Sequence, residues 1–230
     1  MIDFRLSRWA VRPSAVAALA ALVTTVALTA CAAPPGEPQA PPSTGVSAAA
    51  PRSSTAPVFA ANDYRQLGLC TIDCTTTGIL PFDHPQWGPT WLLTFQGGGP
   101  SATVPHESGL LAVGDDRTVH WSRPGGDWTE IHPAEPATDR TGHLFVLYNP
   151  GRYDGLLVLA PTRAGFDDFG SLPDEAELPT SRFYSVTPVD TDNDGIIEIR
   201  QDLNTCTPNC AEGTVETTVL RWTGSDYQPE

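Results

Sequence analysis

Short β-rich segments separated by turn residues fill most of the sequence after about residue 90. Each segment is rich in β-branched and aromatic residues and is bounded by Gly, Pro, Asn or Asp, the pattern typical of strands joined by tight turns. The best helical candidate, "LPDEAELP" at 172–179, is acidic and bracketed by prolines, which limits it to about one turn. The predicted strands are 90–95, 110–114, 118–122, 128–131, 143–148, 156–161, 182–189, 196–201 and 214–222. This pattern predicts an all-β fold, organised as a single antiparallel domain.

Two kinds of strand are distinguished by their hydrophobic pattern. Apolar and polar residues alternate in "TVHW" and "VETTVLRW", as expected where only one face of a strand is buried. "HLFVLY" and "LLVLAP" are apolar almost without interruption, which predicts central strands covered on both faces.

A weak internal similarity relates "VHWSRPGGDWTEI" to "VLRWTGSDYQPE", with a looser copy in "LYNPGRYDGLLVL". In the first two, a strand ending in Trp121 or Trp222 is followed by a Gly turn and a second aromatic, Trp128 or Tyr227, placed to pack across a hairpin. Units of this type suggest a propeller-like or stacked-hairpin array. An ordinary antiparallel fold such as a sandwich, with glycine turns beside aromatics, is the open alternative.

The first thirty residues have the layout of a secretory signal. Arg5, Arg8 and Arg12 precede an apolar stretch at 15–30, which is shorter than the roughly 20 residues of a membrane-spanning helix. The stretch ends in "LTAC" at 28–31, which closely resembles the lipobox of bacterial lipoproteins. That resemblance implies cleavage before Cys31, a lipid on its thiol, and a location at the extracytoplasmic face of the cell membrane. The alternative is a plain secretory signal that ends in a cysteine by chance.

The next segment predicts a tether. Residues 33–57, within the segment 31–58, consist almost entirely of Ala, Pro, Ser, Thr and Gly without apolar periodicity. Such a composition buries too little surface to offset chain entropy, and its prolines favour extended geometry. The β domain is therefore expected to span residues 59–230.

The charge balance limits the classes of partner. The chain has a formal net charge of -14 and contains no lysine. An acidic surface disfavours nucleic acid and anionic lipid headgroups, and the absence of lysine excludes Schiff-base chemistry on a lysine. The sequence does not identify a protein or glycan ligand.

Four cysteines follow Cys31 as two spaced pairs, Cys70 with Cys74 and Cys206 with Cys210. An even number in an exported chain predicts disulfides, and four cysteines allow three connectivities. Local pairing is favoured because Thr207-Pro208-Asn209 is good turn material. Cross-pairing between the two motifs and a four-thiolate zinc site remain the alternatives.

The segment "VDTDNDGIIEIR" at 189–200 places Asp190, Asp192 and Asp194 on alternate positions before Gly195, with Glu198 following. Alternating carboxylates on a tight loop supply the hard oxygen ligands that calcium prefers. An EF-hand is excluded because its twelfth position holds Gln201 and its flanks are strand-like. A solvated acidic turn without an ion is the alternative.

The same stretch matches the D-x-D-x-D-G-x-x-[DE] pattern and resembles the calcium loops of FG-GAP and VCBS repeats, which lie between two strands. The resemblance covers about residues 183–228 and involves one loop rather than a tandem series. It implies a structural calcium ion. The implied ligands are the side chains of Asp190, Asp192, Asp194 and Glu198 and the carbonyl of Ile196.

No residue set in the sequence identifies a reaction. The histidines form neither an H-x-H nor an H-x-x-x-H pair, and the paired Asp167 and Asp168 in "GFDDFG" fit a surface turn as well as a ligand pocket. Two hypotheses follow. The preferred one is a non-enzymatic, lipid-anchored protein whose calcium-clipped β domain has a binding or structural role in the cell envelope. The alternative is an envelope hydrolase or carbohydrate-binding module that uses Asp167, Asp168 or the histidines beside tryptophans.

Overall fold

The computed structural model describes residues 55–98, 106–125, 129–151, 153–170 and 185–230. Strands dominate these ranges, and the described helix is a short one near their start, so the prediction of an all-β domain is confirmed. The elements are α1 (Ala61–Gln66), β1 (Cys74–His84), β2 (Gly88–Gly97), β3 (Glu107–Val113), β4 (Val119–Pro124), β5 (Glu130–Thr138), β6 (Leu144–Asn149), β7 (Gly155–Thr162), β8 (Gly165–Asp168), β9 (Ser185–Val189), β10 (Glu198–Asn204), β11 (Val215–Trp222) and β12 (Tyr227–Pro229).

The strands form three separate sheets, each made of four consecutive strands. Sheet 1 contains β1 to β4, sheet 2 contains β5 to β8, and sheet 3 contains β9 to β12. Within each sheet, strands that follow one another in the chain pair in antiparallel orientation. Short connections between neighbours are the reason for this meander, since antiparallel strands can be joined by tight turns.

The sheets stack in chain order, and sheet 2 lies between the other two. In β7, Leu157 and Leu159 belong to the core shared with sheet 1, whereas Leu156 and Val158 belong to the core shared with sheet 3. Successive side chains of a strand point to opposite faces, so a strand buried on both faces must be apolar throughout. The predicted central position of "LLVLAP" and "HLFVLY" is therefore confirmed.

The outer face of sheet 1 is covered by the segment that contains α1. Phe59 and Tyr64 pack with Phe95 of β2 and with the cysteines of the first pair. The Tyr64 hydroxyl forms a hydrogen bond of 2.5 Å with Thr76 Oγ1, so the polar end of the buried tyrosine has a hydrogen-bond partner inside this layer. Burial on both faces explains the apolar run "WLLTF" in β2.

The outer face of sheet 3 is polar instead. Arg200 and Asp202 of β10 are bonded to each other there, and Asp202 also accepts a hydrogen bond from Thr217 of β11. The opposite face contributes Ile199 and Leu220 to the core shared with sheet 2. β11 does not show the predicted alternation of burial, because its first four residues are all exposed and only Val219, Leu220 and Trp222 are partly buried.

The repeating unit of the structure is the four-stranded sheet. The two similar sequence segments occupy different positions relative to these sheets. "VLRWTGSDYQPE" forms the β11–β12 hairpin within sheet 3, whereas "VHWSRPGGDWTEI" runs from β4 of sheet 1 to β5 of sheet 2. Trp222 and Tyr227 pack across their hairpin with ring centroids 5.2 Å apart, as predicted. Trp128, the corresponding residue of the other copy, lies outside the described residues.

The cysteines are paired locally, as the favoured alternative predicted. Cys70 is bonded to Cys74 with a Cα–Cα distance of 6.3 Å, and Cys206 to Cys210 with a Cα–Cα distance of 3.7 Å. The second distance is shorter than the usual range of about 4.4–6.8 Å.

The predicted signal 1–30, Cys31, the tether and the segment "LPDEAELP" lie outside the described residues, apart from the end of the tether. Within the described ranges, the structure contains no helix with the length and hydropathy needed to cross a bilayer.

Candidate metal centre

The candidate metal centre is the loop between β9 and β10, residues 190–197, here called the Asp loop. Val189 and Glu198 pair directly across the antiparallel ladder, so the loop begins and ends at neighbouring points of sheet 3. A loop between two strands is what the sequence resemblance implied. Pro188 is tolerated because β9 is an edge strand of the sheet.

All three aspartates of the loop accept backbone hydrogen bonds within the turn, and Asp190 and Asp194 accept the shorter ones. Asp190 Oδ1 accepts from the N–H of Asp194 at 3.1 Å, and Asp190 Oδ2 accepts from the N–H of Gly195 at 3.0 Å. Asp194 Oδ1 accepts from the N–H of Ile196 at 2.7 Å. The chain reverses through Asn193 at φ 60° and Gly195 at φ 81°, the left-handed region in which glycine and asparagine are favoured.

The turn brings three carboxylates together. Asp190, Asp192 and Asp194 each offer one oxygen, and these oxygens lie within 4.8 Å of one another. Such a spacing lets one cation contact all three, and a set made only of carboxylate oxygens matches the ligand preference of calcium rather than that of zinc or copper. The donor chemistry of the Asp loop therefore fits a hard divalent cation.

Glu198 and Ile196, the other two implied ligands, occupy different surroundings. The Glu198 side chain is buried, with 4% of the residue exposed, and its Oε2 accepts hydrogen bonds from Thr191 N–H at 2.8 Å and Thr191 Oγ1 at 2.6 Å. It closes the loop through Thr191 and is not part of the group of three carboxylates. Ile196 contributes its amide to Asp194, as described above. The ligand roles of Glu198 and Ile196 stay predictions.

One guanidinium reaches the Asp loop from β11. Arg221 Nη1 lies 3.2 Å from Asp192 Oδ2, and the Arg221 and Asp192 side chains are 48% and 41% exposed. The Nε of the same arginine pairs with the Glu230 carboxylate. Arg221 was not among the site residues predicted from the sequence, because the strand pairing that places it beside the loop cannot be read from its distant position in the chain.

The Asp loop is attached to sheet 2 by its backbone. Arg140, in the turn between β5 and β6, donates its N–H to the carbonyl of Gly195 at 2.7 Å. A Cβ added to Gly195 would stand 3.5 Å from the Arg140 side chain, so the two turns are in van der Waals contact. The position of the candidate centre is thus set by two sheets.

A buried polar cluster lies beside this attachment. The side chains of Asp139 and His143 are 0% and 6% exposed, and Asp139 Oδ2 lies 3.4 Å from His143 Nδ1. Asp139 Oδ1 accepts from the N–H and Oγ1 of Thr141 and from the N–H of His143. Tyr227 donates its hydroxyl proton to the Ile197 carbonyl at 3.1 Å, and its oxygen lies 3.5 Å from His143 Nδ1.

These contacts shift two pKa values in the cluster. Burial raises the pKa of Asp139, but the hydrogen bonds from His143 and Thr141 outweigh burial and hold that pKa below its usual range. Burial, with the nearby Asp139 and Glu198 carboxylates, raises the pKa of Tyr227 far above that of a free phenol. The cluster therefore contains an ionised Asp139 and a neutral Tyr227.

Three histidines and two tryptophans of the described residues form two ring clusters. Trp87 is stacked between His84, at a ring-centroid distance of 3.5 Å, and His120, at 5.1 Å. Trp222 packs edge-on against His143 at 4.5 Å. The contact between Trp222 and His143 joins sheet 3 to sheet 2, whereas Trp87, His84 and His120 all belong to sheet 1 or to its β1–β2 turn.

The two aspartates of the alternative hypothesis are on β8. Asp168 forms an ion pair with Arg123 at 2.5 Å, and Asp167 is exposed on β8. One cleft of about 170 Å³ lies near α1 and contains neither histidine nor tryptophan. Its lining residues are Phe59, Asp63, Gln66, Leu67, Arg117 and Val119. Phe166 and Phe169, which flank Asp167 and Asp168 in the chain, pack against Trp87 and Trp222 respectively, so the aspartates are next to both ring clusters in sequence.

The chain matches no protein-family model, no curated protein and no solved structure.

Proposed function

We propose that the chain is a membrane-anchored extracytoplasmic lipoprotein whose β domain is clipped by calcium and has a non-enzymatic binding or structural role in the cell envelope. The lipid anchor is proposed at Cys31 and the calcium ion at the Asp loop. Between them, the tether would hold the stacked sheets away from the membrane surface.

One observation carries the calcium part of the proposal. The carboxylate oxygens of Asp190, Asp192 and Asp194 converge within 4.8 Å in a loop flanked by strands. Like charges at such distances repel by about 1 kcal/mol per pair even at the dielectric constant of water. A bound divalent cation removes this repulsion and adds favourable contacts to the same oxygens.

The three aspartates would hold the ion, with the Ile196 carbonyl and Glu198 as the further ligands that the loop pattern implies. The ion supplies positive charge that neutralises the carboxylates. Because Gly195 of the Asp loop is hydrogen-bonded to Arg140 of sheet 2, a fixed loop also stabilises the contact between sheets 2 and 3. Extracellular calcium modules bind with dissociation constants of roughly 10⁻⁴ to 10⁻³ M, which suits a structural clip.

The sequence supports the anchor through "LTAC" at 28–31 and the Pro- and Ala-rich segment that follows. The two local disulfides agree with an oxidising compartment outside the cytoplasm. The polar outer face of sheet 3 and the acidic net charge of -14 suit a domain displayed in water.

Calorimetric melting of the full-length chain in detergent tests the calcium clip. We expect a higher Tm in millimolar calcium than in chelator, and we expect the Asp192→Ala, Asp194→Ala double variant to lose this difference. The matched control is the Asp116→Ala, Asp226→Ala double variant, which removes two turn aspartates outside the Asp loop. Identical melts of the wild type in calcium and in chelator would refute the clip.

Fractionation of cells that express the chain tests the anchor separately. We expect the wild type in the membrane fraction, labelled by radioactive fatty acid, and we expect Cys31→Ser to be unlabelled and released. Equal membrane association and labelling of both proteins would refute lipidation at Cys31.

A further inference from the structure

Arg221 occupies the position of a counter-cation beside the Asp loop. Its Nη1 lies 3.2 Å from Asp192 Oδ2, within reach of a charge-assisted hydrogen bond. We infer that Arg221 is a built-in competitor for the cation, which a divalent ion must displace from Asp192, and that Arg221 thereby sets the ion affinity of the loop. This inference rests on the proposed calcium site and adds a regulating residue to it.

Asp192 is a loop carboxylate with one oxygen outside the backbone hydrogen bonds of the turn. Both oxygens of Asp190 accept turn N–H groups, and Asp194 Oδ1 accepts the N–H of Ile196. Asp192 Oδ1 accepts the Asp194 N–H at 3.2 Å, which leaves Oδ2 facing Arg221. Asp194 also accepts a single backbone N–H, at 2.7 Å, so the guanidinium pairs with the one of these two carboxylates whose backbone hydrogen bond is longer.

A guanidinium and a divalent ion repel each other at this distance. Two positive charges that share one carboxylate oxygen stand only a few ångströms apart, where the Coulomb repulsion between them is largest. The entering ion therefore weakens the bond between Arg221 and Asp192, and by linkage the bond between Arg221 and Asp192 weakens ion binding by the same factor.

Glu230 provides a second position for the displaced arginine. Its carboxylate pairs with the Nε of Arg221, on the side of the guanidinium away from the Asp192 contact. When an ion binds, Arg221 remains paired with Glu230 and is half-exposed to water, so its release from Asp192 leaves no buried unpaired charge. Removal of Glu230 should strengthen the hold of Arg221 on Asp192.

Isothermal titration of the full-length chain in detergent with calcium chloride alone tests the inference. We expect Arg221→Gln to lower the Kd by about two- to five-fold, the range that an exposed ion pair allows. Glu230→Gln should raise the Kd. The control is Arg200→Gln, which removes the same charge from the same face of sheet 3 but takes it from a pair with Asp202. It should leave the Kd within about two-fold of the wild type.

A second readout follows the arginine itself. In ¹H–¹⁵N spectra of the side chains, we expect the Arg221 Nε signal to move in step with calcium occupancy and the Arg200 Nε signal to stay in place. A general charge effect changes the Kd without moving the Arg221 signal, so this measurement separates displacement from long-range repulsion.

The outcomes distinguish the two proposals. Binding of calcium to the wild type with an unchanged Kd in Arg221→Gln and a stationary Arg221 signal overturns the role of Arg221 and leaves the calcium clip standing. Equal shifts of the Kd in Arg221→Gln and Arg200→Gln also overturn it. An absence of binding to the wild type and to Arg221→Gln alike overturns the calcium clip and this inference with it.

Discussion

The backbone N–H of Arg140 donates a 2.7 Å hydrogen bond to the carbonyl of Gly195. This contact joins the first turn of sheet 2 to the Asp loop of sheet 3, two segments more than fifty residues apart along the chain. The buried Asp139 precedes Arg140, so the candidate ion site and the polar cluster share one turn. Substitutions in the buried polar cluster are therefore expected to affect the Asp loop.

Asp139→Asn is expected to lower the free energy of unfolding by about 1–3 kcal/mol. The change keeps Oδ1 as an acceptor for Thr141 and His143, but it replaces the charged Oδ2 with an amide group opposite His143 Nδ1. Urea denaturation measures the loss. Asp116→Asn is the matched control, because Asp116 makes the same turn hydrogen bonds to Thr118 on the exposed β3–β4 turn. An equal loss of unfolding free energy in both variants would contradict the prediction that the buried Asp139 contributes more to stability than the exposed Asp116.

Acidification should remove the stability that ionised Asp139 contributes. The pKa of Asp139 is held below the unfolded value of about 3.9, so this contribution is complete above that value and is lost as the pH falls through the folded pKa. The stability difference between the wild type and Asp139→Asn should therefore be constant near neutral pH and should shrink below about pH 4. Urea denaturation at a series of pH values measures this stability difference. A difference that grows as the pH falls would contradict the prediction.

His84 predicts a second pH dependence in a higher range. Its Nδ1 accepts the N–H groups of Gln86 and Trp87, and its Nε2 donates to the Gly165 carbonyl at 3.1 Å, which requires a neutral ring. Burial lowers the pKa of His84, and the hydrogen bond to Gly165 offsets this only in part. The unfolded chain takes up the proton first, so the stability from neutral His84 is complete above about pH 6.5 and is lost as the pH falls toward the folded pKa.

His84→Gln is expected to lose this component of the pH dependence. The measured quantity is the fall in Tm between about pH 7.5 and pH 5, which should be smaller in the variant than in the wild type. His132→Gln is the control, since His132 is exposed on β5 and should leave the fall unchanged. The assignment fails if both variants keep the wild-type pH dependence.

Leu157→Ala tests the core between sheets 1 and 2. Leu157 is about 1% exposed in that core, and its truncation should cost about 2–5 kcal/mol of stability, from lost burial and the cavity left behind. Leu203→Ala is the matched control, because the Leu203 side chain on β10 is more than one-third exposed. Denaturant melts of both proteins measure the difference, and equal losses would place Leu157 outside the core.

The local pattern of the sequence predicted most of the strands but not all of them. β1, β8 and β12 were not predicted. β1 contains Gly78 and Pro81, which lower its strand propensity. It becomes recognisable as a strand only through its contacts in the folded sheet. β8 and β12 have four and three residues, too few for a periodic signal. Pairing with a longer neighbour, β7 or β11, makes them strands.

The similar sequence segments do not occupy equivalent positions in the sheets, for a related reason. The sequence similarity depends on tryptophans beside glycine turns, and such turns occur both within a sheet and between two sheets. Trp121 of β4 precedes the crossing to sheet 2, whereas Trp222 of β11 precedes a hairpin inside sheet 3. Composition does not distinguish these cases, because the difference is in hydrogen-bond pairing rather than in residue type.

The sequence by itself determined the all-β class, the two-faced burial of the central strands and the aspartates of the Asp loop. Each of these depends on residues near one another along the chain, where strand alternation and turn chemistry operate. Tertiary structure alone decided the stacking order of the three sheets, the burial of Asp139 beneath the Asp loop and the approach of Arg221 to Asp192. These contacts join residues that are distant in sequence, and the energies of burial and ion pairing that select them exist only once the sheets have packed.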